Sequence, residues 1–355
     1  MRNTLSLFVP VALSLSACGS DAATSGSGKP STPSHTTPAS TPTDPTSSLP
    51  TLADGYTRFT AQTVTDIAPG DDVTHCQYVM APFDHDMDVL DVQGAQSQYG
   101  HHGVAFAYTP PDGVELGSEV PCMMGSNEFS SAAPTAGGMP SMAALSGGAF
   151  LGAVGPIAGR PATLPAGVAF RLTKGQGIML NLHYINTSTE PVNGDAYIDM
   201  KFVDVDPARL IAAIFLNLNG GFSVPPKAEV DSTADCVAKS DVNVIMMSNH
   251  MHEFGTHATT SVVHGDTGEV EVLRDDPTWT SDMQSNPTFT RWDVKSPFVL
   301  HAGDTIRTSC SWNNSTTGTL SFPREMCISA GFALATGDNP TAPACFNGLW
   351  LGAMP

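Results

Sequence analysis

The sequence is poor in basic residues. It has 15 Lys and Arg against 34 Asp and Glu in 355 residues, a formal net charge of −19 at pH 7. A protein that binds a phosphate backbone needs clustered cations, so this balance argues against nucleic acid as a partner. The sequence also has no Gly-rich phosphate loop, no P-loop and no nucleophile elbow, which removes common signatures of nucleotide binding and serine hydrolysis.

Long helical periodicity is absent as well, and charged residues are only 14% of the chain. With 33 Gly and 28 Pro, the chain instead shows short alternating or β-branched runs separated by turns, such as Val104–Tyr108 and Ile178–Ile185. This pattern predicts an all-β protein. We expect two consecutive antiparallel β-sandwich, jelly-roll-like domains at 52–204 and 205–355, with a loosely placed hinge at Asp204–Pro207. No internal repeat is visible in the sequence.

The N-terminus carries an apolar run, Leu5–Leu15, that is too short to span a bilayer and is typical of a signal peptide over residues 1–17. The run continues into Leu15–Cys18, which resembles a bacterial lipobox and predicts cleavage before a lipidated Cys18. Ordinary secretion, with cleavage in the same region, is the alternative. A tether rich in Ser, Thr, Pro and Gly follows at 18–51 and is expected to stay disordered.

These N-terminal features predict an extracytoplasmic location. We expect a bacterial envelope lipoprotein, periplasmic or at the cell surface, that contacts the membrane only through the lipidated Cys18. We further expect a monomer that acts on a small molecule.

Six cysteines remain after Cys18. An even number in an exported protein favours disulfides over free thiols. No CxxC pair is present, so a zinc site built on thiolates is not expected. The six are Cys76, Cys122, Cys236, Cys310, Cys327 and Cys345.

The stretch Val242–His252 is the most informative for chemistry. On a strand, residues two apart share a face, so His250 and His252 project from the same side. Two imidazoles on one strand face form a natural pair of metal ligands, and the alternative is a surface or buried polar pair. His257 would complete a three-histidine zinc site, although its odd offset and Gly255 favour a turn there.

Three other histidines and one methionine are ambiguous on their own. His101 and His102 are neighbours, and both reach one metal only at a strand end or a bulge. His183 is a lone histidine in an apolar strand, which is more often a hydrogen-bonded core residue. Met326 would normally be core packing, but a thioether favours Cu(I), so histidine together with methionine points to redox copper rather than zinc.

Taken in order, these elements resemble a family, the ascorbate-dependent copper type II monooxygenases. The resemblance runs from Cys76 to Cys345, and each motif alone is common whereas the ordered series is specific. The series consists of His-His at 101–102, Leu164–Arg171, Leu180–Tyr184, Cys236, His-x-His at 250–252, and Glu325–Cys327.

The resemblance implies two copper ions per chain, each with three protein ligands. The electron-transfer copper falls on the N-terminal domain, and the site of O₂ binding and C–H cleavage falls on the C-terminal domain, with a cleft between them. The implied ligands are His101, His102 and His183 for the first ion, and His250, His252 and Met326 for the second. The implied disulfides are Cys76–Cys122, Cys236–Cys345 and Cys310–Cys327.

The resemblance further implies a monooxygenase that uses O₂ and ascorbate or a similar external reductant. Peptide-specific members hold a substrate carboxylate with an Arg, an Asn and a Tyr, and here those positions are Ser248, Ile328 and Ala330. We therefore expect a small, uncharged substrate and no peptide amidation. Two alternatives stay open: a non-catalytic extracytoplasmic copper-binding lipoprotein of the same fold, and an interaction module with a structural metal at the three-histidine site.

Overall fold

The computed structural model describes residues 49–120, 122, 150–155, 163–284, 286–322, 324–335 and 343–353. All of them lie in the unit Pro42–Pro355. The predicted signal peptide, the lipidation site Cys18 and the tether up to residue 48 lie outside the described residues and stay predictions. Within the described ranges, no helix has the length and apolar character needed to cross a membrane.

Strands make up nearly all of the regular structure. The N-terminal half contains β1 (Thr57–Thr60), β2 (Val64–Ile67), β3 (Asp72–Met80), β4 (Met87–Gln96), β5 (Gly100–Tyr108), β6 (Phe150–Val154), β7 (Val168–Leu172), β8 (Gly177–Ile185), β9 (Val192–Gly194) and β10 (Ala196–Asp204).

Among its described residues, the C-terminal half adds thirteen strands and one short 3-10 helix, Ser281–Gln284. The strands are β11 (Leu210–Leu218), β12 (Ser223–Val224), β13 (Glu229–Val237), β14 (Val242–His250), β15 (Gly255–Val263), β16 (Val270–Asp276), β17 (Thr290–Arg291), β18 (Phe298–Leu300), β19 (Thr305–Asn313), β20 (Leu320–Ser321), β21 (Ile328–Leu334), β22 (Pro343–Phe346) and β23 (Leu349–Ala353).

Alternation of residue type builds these strands, and β19 shows it most plainly. Ile306, Thr308, Cys310 and Trp312 are buried, while the residues between them are partly exposed. Residues two apart share one face of a strand, so this face packs into the sandwich and the other faces solvent.

The two halves have the same strand topology. The four-stranded sheet β3-β8-β5-β6 corresponds to β13-β19-β15-β16, and the path β1-β10-β4-β7 corresponds to β11-β21-β14-β17. The small ribbons β2-β9 and β12-β20 also correspond. The prediction of an all-β protein built from sandwiches is confirmed, and the topology contains an internal repeat that the sequence does not show.

Each repeat carries a buried asparagine directly after the central strand of its four-stranded sheet. Asn186 follows β8 and Asn314 follows β19, and neither is exposed. In both, Nδ2 donates to backbone carbonyls and Oδ1 accepts from the backbone N–H two residues later. Such an Asx turn ends the strand in the same way in both halves.

One continuous sheet joins the halves. Strand β7 pairs in parallel with β11, so the two corresponding paths become parts of one 11-stranded sheet. Beside this junction, the fully buried carboxylate of Asp88 pairs with the guanidinium groups of Arg171 and Arg209. The predicted boundary between 204 and 205 coincides with the end of β10 at Asp204, but the division into two domains stays a prediction.

A polar layer of five buried side chains divides the core of the C-terminal half. Ser329 Oγ lies 2.6 Å from Thr308 Oγ1 and 2.5 Å from Thr260 Oγ1, Asn217 donates to Thr308, and Thr260 donates to Asn249. Three layer residues, Asn249 on β14, Thr260 on β15 and Thr308 on β19, each lie between residues of two separate buried apolar clusters. Mutual hydrogen bonding is what makes these polar groups tolerable in the interior.

The three predicted disulfides are confirmed. Cys76 bonds Cys122, Cys236 bonds Cys345, and Cys310 bonds Cys327. The last bridge ties the residue after Met326 to the middle of β19.

Candidate metal centre

Adjacent strands bring the first predicted set together, which we call the N-terminal trio (His101, His102 and His183). Strand β8 lies between β3 and β5, and the β5–β8 register places His102 directly opposite His183. A register shift lies beside His101 near the start of β5, which lets both neighbours approach one point. One ring nitrogen of each histidine lies within 4.8 Å of the other two.

Two further polar groups contact the trio. His183 Nε2 donates to Asp72 Oδ1 at 2.6 Å, and this hydrogen bond is the main cause that lowers the pKa of the Asp72 carboxyl. The amide nitrogen of Gln284, in the 3-10 helix of the C-terminal half, lies 2.7 Å from His101 Nδ1 and 3.0 Å from its Nε2. The trio is therefore contacted by a carboxylate from its own half and an amide from the other.

The second predicted set, the C-terminal set (His250, His252 and Met326), begins at the end of β14. His250 is the last residue of that strand, and its ring centroid is 5.3 Å from that of His252. His252 is 2% exposed, and its Nδ1 donates to the carbonyl of Arg324 at 3.0 Å. This bond leaves the lone pair on Nε2 for a ligand.

Met326 lies on the segment that runs past His252. The β14–β21 register places Ile328 opposite His250, and Met326 is two residues before Ile328. Continued past the ends of the two strands, this antiparallel offset would place Met326 opposite His252. Met326 is partly buried and belongs to none of the buried apolar clusters found among the described residues, which disfavours a role in core packing.

Glu325 fastens this segment to the turn after β14. Its fully buried carboxylate accepts the backbone N–H of His252 at 3.2 Å and of Phe254 at 2.8 Å, and the indole N–H of Trp312 at 3.1 Å. Burial raises the pKa of this carboxyl, and the three donors oppose that rise. The residue next to Met326 thus links it to the backbone that presents His252.

The two sets are in contact. His101 Nε2 lies 3.3 Å from His252 Nε2, and their ring centroids are 4.6 Å apart. The five imidazoles therefore form one continuous cluster. We had expected the two ligand sets to lie on opposite sides of a cleft, and the structure instead places them in contact. The sequence motifs could not show this, since they carry no information on how closely the two halves approach.

Burial favours the neutral form of four imidazoles, those of His101, His102, His250 and His252. Desolvation is the largest cause that lowers the pKa of His250 to about 4 and of His252 to about 3. Burial also lowers the pKa of His101 and His102, with their imidazole neighbours adding to the effect. Neutral imidazoles have a free lone pair at neutral pH, as metal ligands must. The donor sets fit copper, because imidazole suits both oxidation states and the thioether favours Cu(I).

His257 does not join the cluster. It lies on β15 in the four-stranded sheet, opposite Ser311, whereas His250 lies on the other sheet. Its Nε2 is 2.6 Å from Asp275 Oδ1 and 3.0 Å from Thr259 Oγ1. This placement gives no support to the three-histidine zinc site.

Sequence reasoning missed Asp72, Gln284 and Glu325 as parts of the site. Their contacts join elements that are far apart in the chain, as with Asp72 and His183, and spacing carries no signal for such contacts. For Glu325 the only available signal was its place beside Met326 in the motif.

The comparisons with known proteins point to one family. Residues 211–330 match the family model described as copper type II ascorbate-dependent monooxygenase, C-terminal domain. No curated protein matches the chain.

Two solved structures to which the chain is similar show weak likenesses. The triple jelly-roll protein of an archaeal virus turret assembly is 6% identical with a TM-score of 0.23, over 81% of this chain and 61% of that chain. A structure of infectious bursal disease virus, strain Gx, is 9% identical with a TM-score of 0.20, over 80% of this chain and 73% of that chain.

The fold and the imidazole cluster define a β-sandwich protein with a candidate copper centre. Residues 211–330 match the C-terminal domain of the copper type II ascorbate-dependent monooxygenases, which confirms the resemblance for that part. The roles of the individual ligands stay predictions.

Proposed function

We propose that this protein is a monooxygenase that holds two copper ions and uses O₂ and an ascorbate-type reductant to hydroxylate a C–H bond of a small, uncharged substrate. The observation that supports this most strongly is the convergence of five imidazoles from the two predicted ligand sets, in a chain that carries a domain of this enzyme family. The overall reaction consumes one O₂, two electrons and two protons, and it releases the hydroxylated product and one water.

The side chains present would hold the ions in two different ways. The N-terminal trio offers three nitrogens, and the C-terminal set offers two nitrogens and a thioether. Three protein ligands leave a coordination position open at each ion, as a catalytic metal needs. When bound, copper would supply one-electron redox chemistry and activation of O₂.

The protein's own groups prepare this centre before any ion binds. Burial favours the neutral form of His101, His102, His250 and His252, and the Arg324 carbonyl selects the tautomer of His252 that keeps its lone pair on Nε2. Glu325 fixes the backbone on which His252 and Met326 stand. These groups reduce the reorganisation that metal binding would otherwise require.

The residues at the substrate-binding positions support an uncharged substrate. Ser248 is 3% exposed and its hydroxyl donates to the neighbouring carbonyl of Asn249. Ile328 is buried and Ala330 is partly exposed. None of these side chains can hold a carboxylate as an arginine does. We predict no amidation of glycine-extended peptides.

The direct test is O₂ uptake by copper-loaded protein with ascorbate and a panel of neutral small molecules, with product detection. We expect about two coppers per chain and hydroxylated product from at least one panel member. Met326→Ala should lower the rate of O₂ uptake by at least about tenfold, because it removes the sulfur donor of the C-terminal set. His257→Ala is the control and should behave as wild type. The reverse pattern would favour a structural zinc site.

The second candidate is a copper-binding lipoprotein without turnover. It is favoured if the protein binds two coppers tightly but consumes no more O₂ than an equal amount of free copper. Attachment through Cys18 belongs to both candidates, and Cys18→Ser should release the protein from the membrane fraction.

A further inference from the structure

The row of strands β3-β8-β5 carries three polar side chains side by side. Asp72 is the first residue of β3, His183 lies on β8, and His102 lies on β5. The registers pair Asp72 with Ile185 and His102 with His183, so Asp72 is the diagonal neighbour of His183 on the same face. A carboxylate therefore stands on one side of the His183 imidazole and the other members of the trio stand on the opposite side.

The hydrogen bond from His183 to Asp72 determines which nitrogen can bind a metal. Nε2 donates its proton to Asp72 Oδ1 at 2.6 Å, which leaves the lone pair on Nδ1. The side chain of His183 is 14% exposed and that of Asp72 is 49% exposed, so the carboxylate meets solvent while the ring stays largely enclosed. A carboxylate in this position holds both the tautomer and the ring plane of a metal-binding histidine.

The C-terminal half supplies a natural comparison. Glu229 is the first residue of β13, as Asp72 is of β3, and the equivalent of His183 is Ser311 on β19. Glu229 instead accepts from Asn313 Nδ2 at 3.2 Å. An acid at this strand position therefore occurs in both halves, but only in the N-terminal half does it contact an imidazole.

We propose that Asp72 is a positioning residue that orients His183 for copper. It acts through His183 and touches no metal itself. This inference rests on the proposed copper site of the N-terminal trio, but it does not require that the protein turns over a substrate.

The test measures Cu(I) affinity of full-length purified protein by competition with a chromophoric chelator. Asp72→Ala should lower the affinity for one of the two coppers by about 10 to 100-fold and change the affinity for the other by no more than about twofold. The carboxylate partner of a metal-bound histidine contributes to affinity on this scale. Asp72→Asn keeps an acceptor oxygen without the charge and should give a smaller loss. The electron paramagnetic resonance spectrum of the Cu(II) form should change for one ion only.

Glu229→Ala is the matched control and should leave both affinities and the spectrum unchanged. Copper-free Asp72→Ala should melt at the same temperature as Glu229→Ala, which separates positioning from folding. The inference is overturned if Asp72→Ala binds both coppers with wild-type affinity, or if Glu229→Ala weakens copper equally. Wild-type protein that binds two coppers but shows no O₂ uptake would refute the proposed function and leave the role of Asp72 standing.

Discussion

The two halves of the molecule share one topology but place their candidate ligands on different sheets. The N-terminal trio lies on the four-stranded sheet, on β5 and β8. The C-terminal set lies at the end of β14 and before β21, in the opposing sheet. In the C-terminal half the position of His102 is taken by His257 and that of His183 by Ser311. The repeated fold thus supplies two scaffolds, and the side chains at strand ends decide where each ligand set forms.

Because the two ligand sets lie on different sheets, they are held in place in different ways. The trio stands on paired strands, so register alone brings its members together. The C-terminal set stands partly on turns, and it needs the Glu325 carboxylate and the Cys310–Cys327 bridge to hold the turn and the Met326 segment together. Variants that remove one support at a time should therefore affect the two coppers differently.

Removal of disulfides should have the largest effect. Replacing Cys310 and Cys327 by serine should cost about 3 kcal/mol of unfolding free energy, and replacing Cys76 and Cys122 about 4 kcal/mol because that loop is longer. Denaturant unfolding measures both. Only the first variant should also lose Cu(I) affinity, since Cys327 adjoins Met326. Equal loss of copper from both variants would mean that the bridges act on the whole fold.

Glu325→Ala should come next, with a loss of about 3 kcal/mol of unfolding free energy, because it leaves three donors without an acceptor, two of them buried and one partly buried. We expect it to lose the copper of the C-terminal set and keep that of the trio. Glu253→Ala, which removes an exposed partner of Arg324, is the control and should change stability little. If the Glu325→Ala variant retained both coppers, the Glu325 carboxylate would not be what holds the C-terminal set in place.

The paired asparagines test how alike the repeats are. Asn186→Ala and Asn314→Ala should each lower the unfolding free energy by about 2 kcal/mol, since each removes several hydrogen bonds of one buried side chain. Thermal unfolding of both variants gives the comparison. A difference well above about 1 kcal/mol would show that the repeats share topology without sharing local energetics.

Alternation of residue type predicted the strands, and cysteine parity predicted that disulfides form. The pairing of the cysteines and the members of the trio came from the resemblance carried by the ordered motif series. Sequence reasoning could not reach the repeat, whose halves share register and turns rather than residues. The polar layer also escaped it, because Asn217, Ser329 and Asn249 become neighbours only through strand pairing. The contact between His101 and His252 depends on the approach of two distant segments, which no local pattern records.

We expect an all-nitrogen ligand set and a set of two nitrogens and one sulfur to lie side by side. X-ray absorption of the Cu(I)-loaded protein measures both sets at once. The spectrum should show two coppers per chain with, on average, half a sulfur ligand per copper, and Met326→Leu should lose the sulfur signal while the copper of the trio is retained. Binding of a single copper, or a wild-type spectrum without sulfur, would contradict this arrangement.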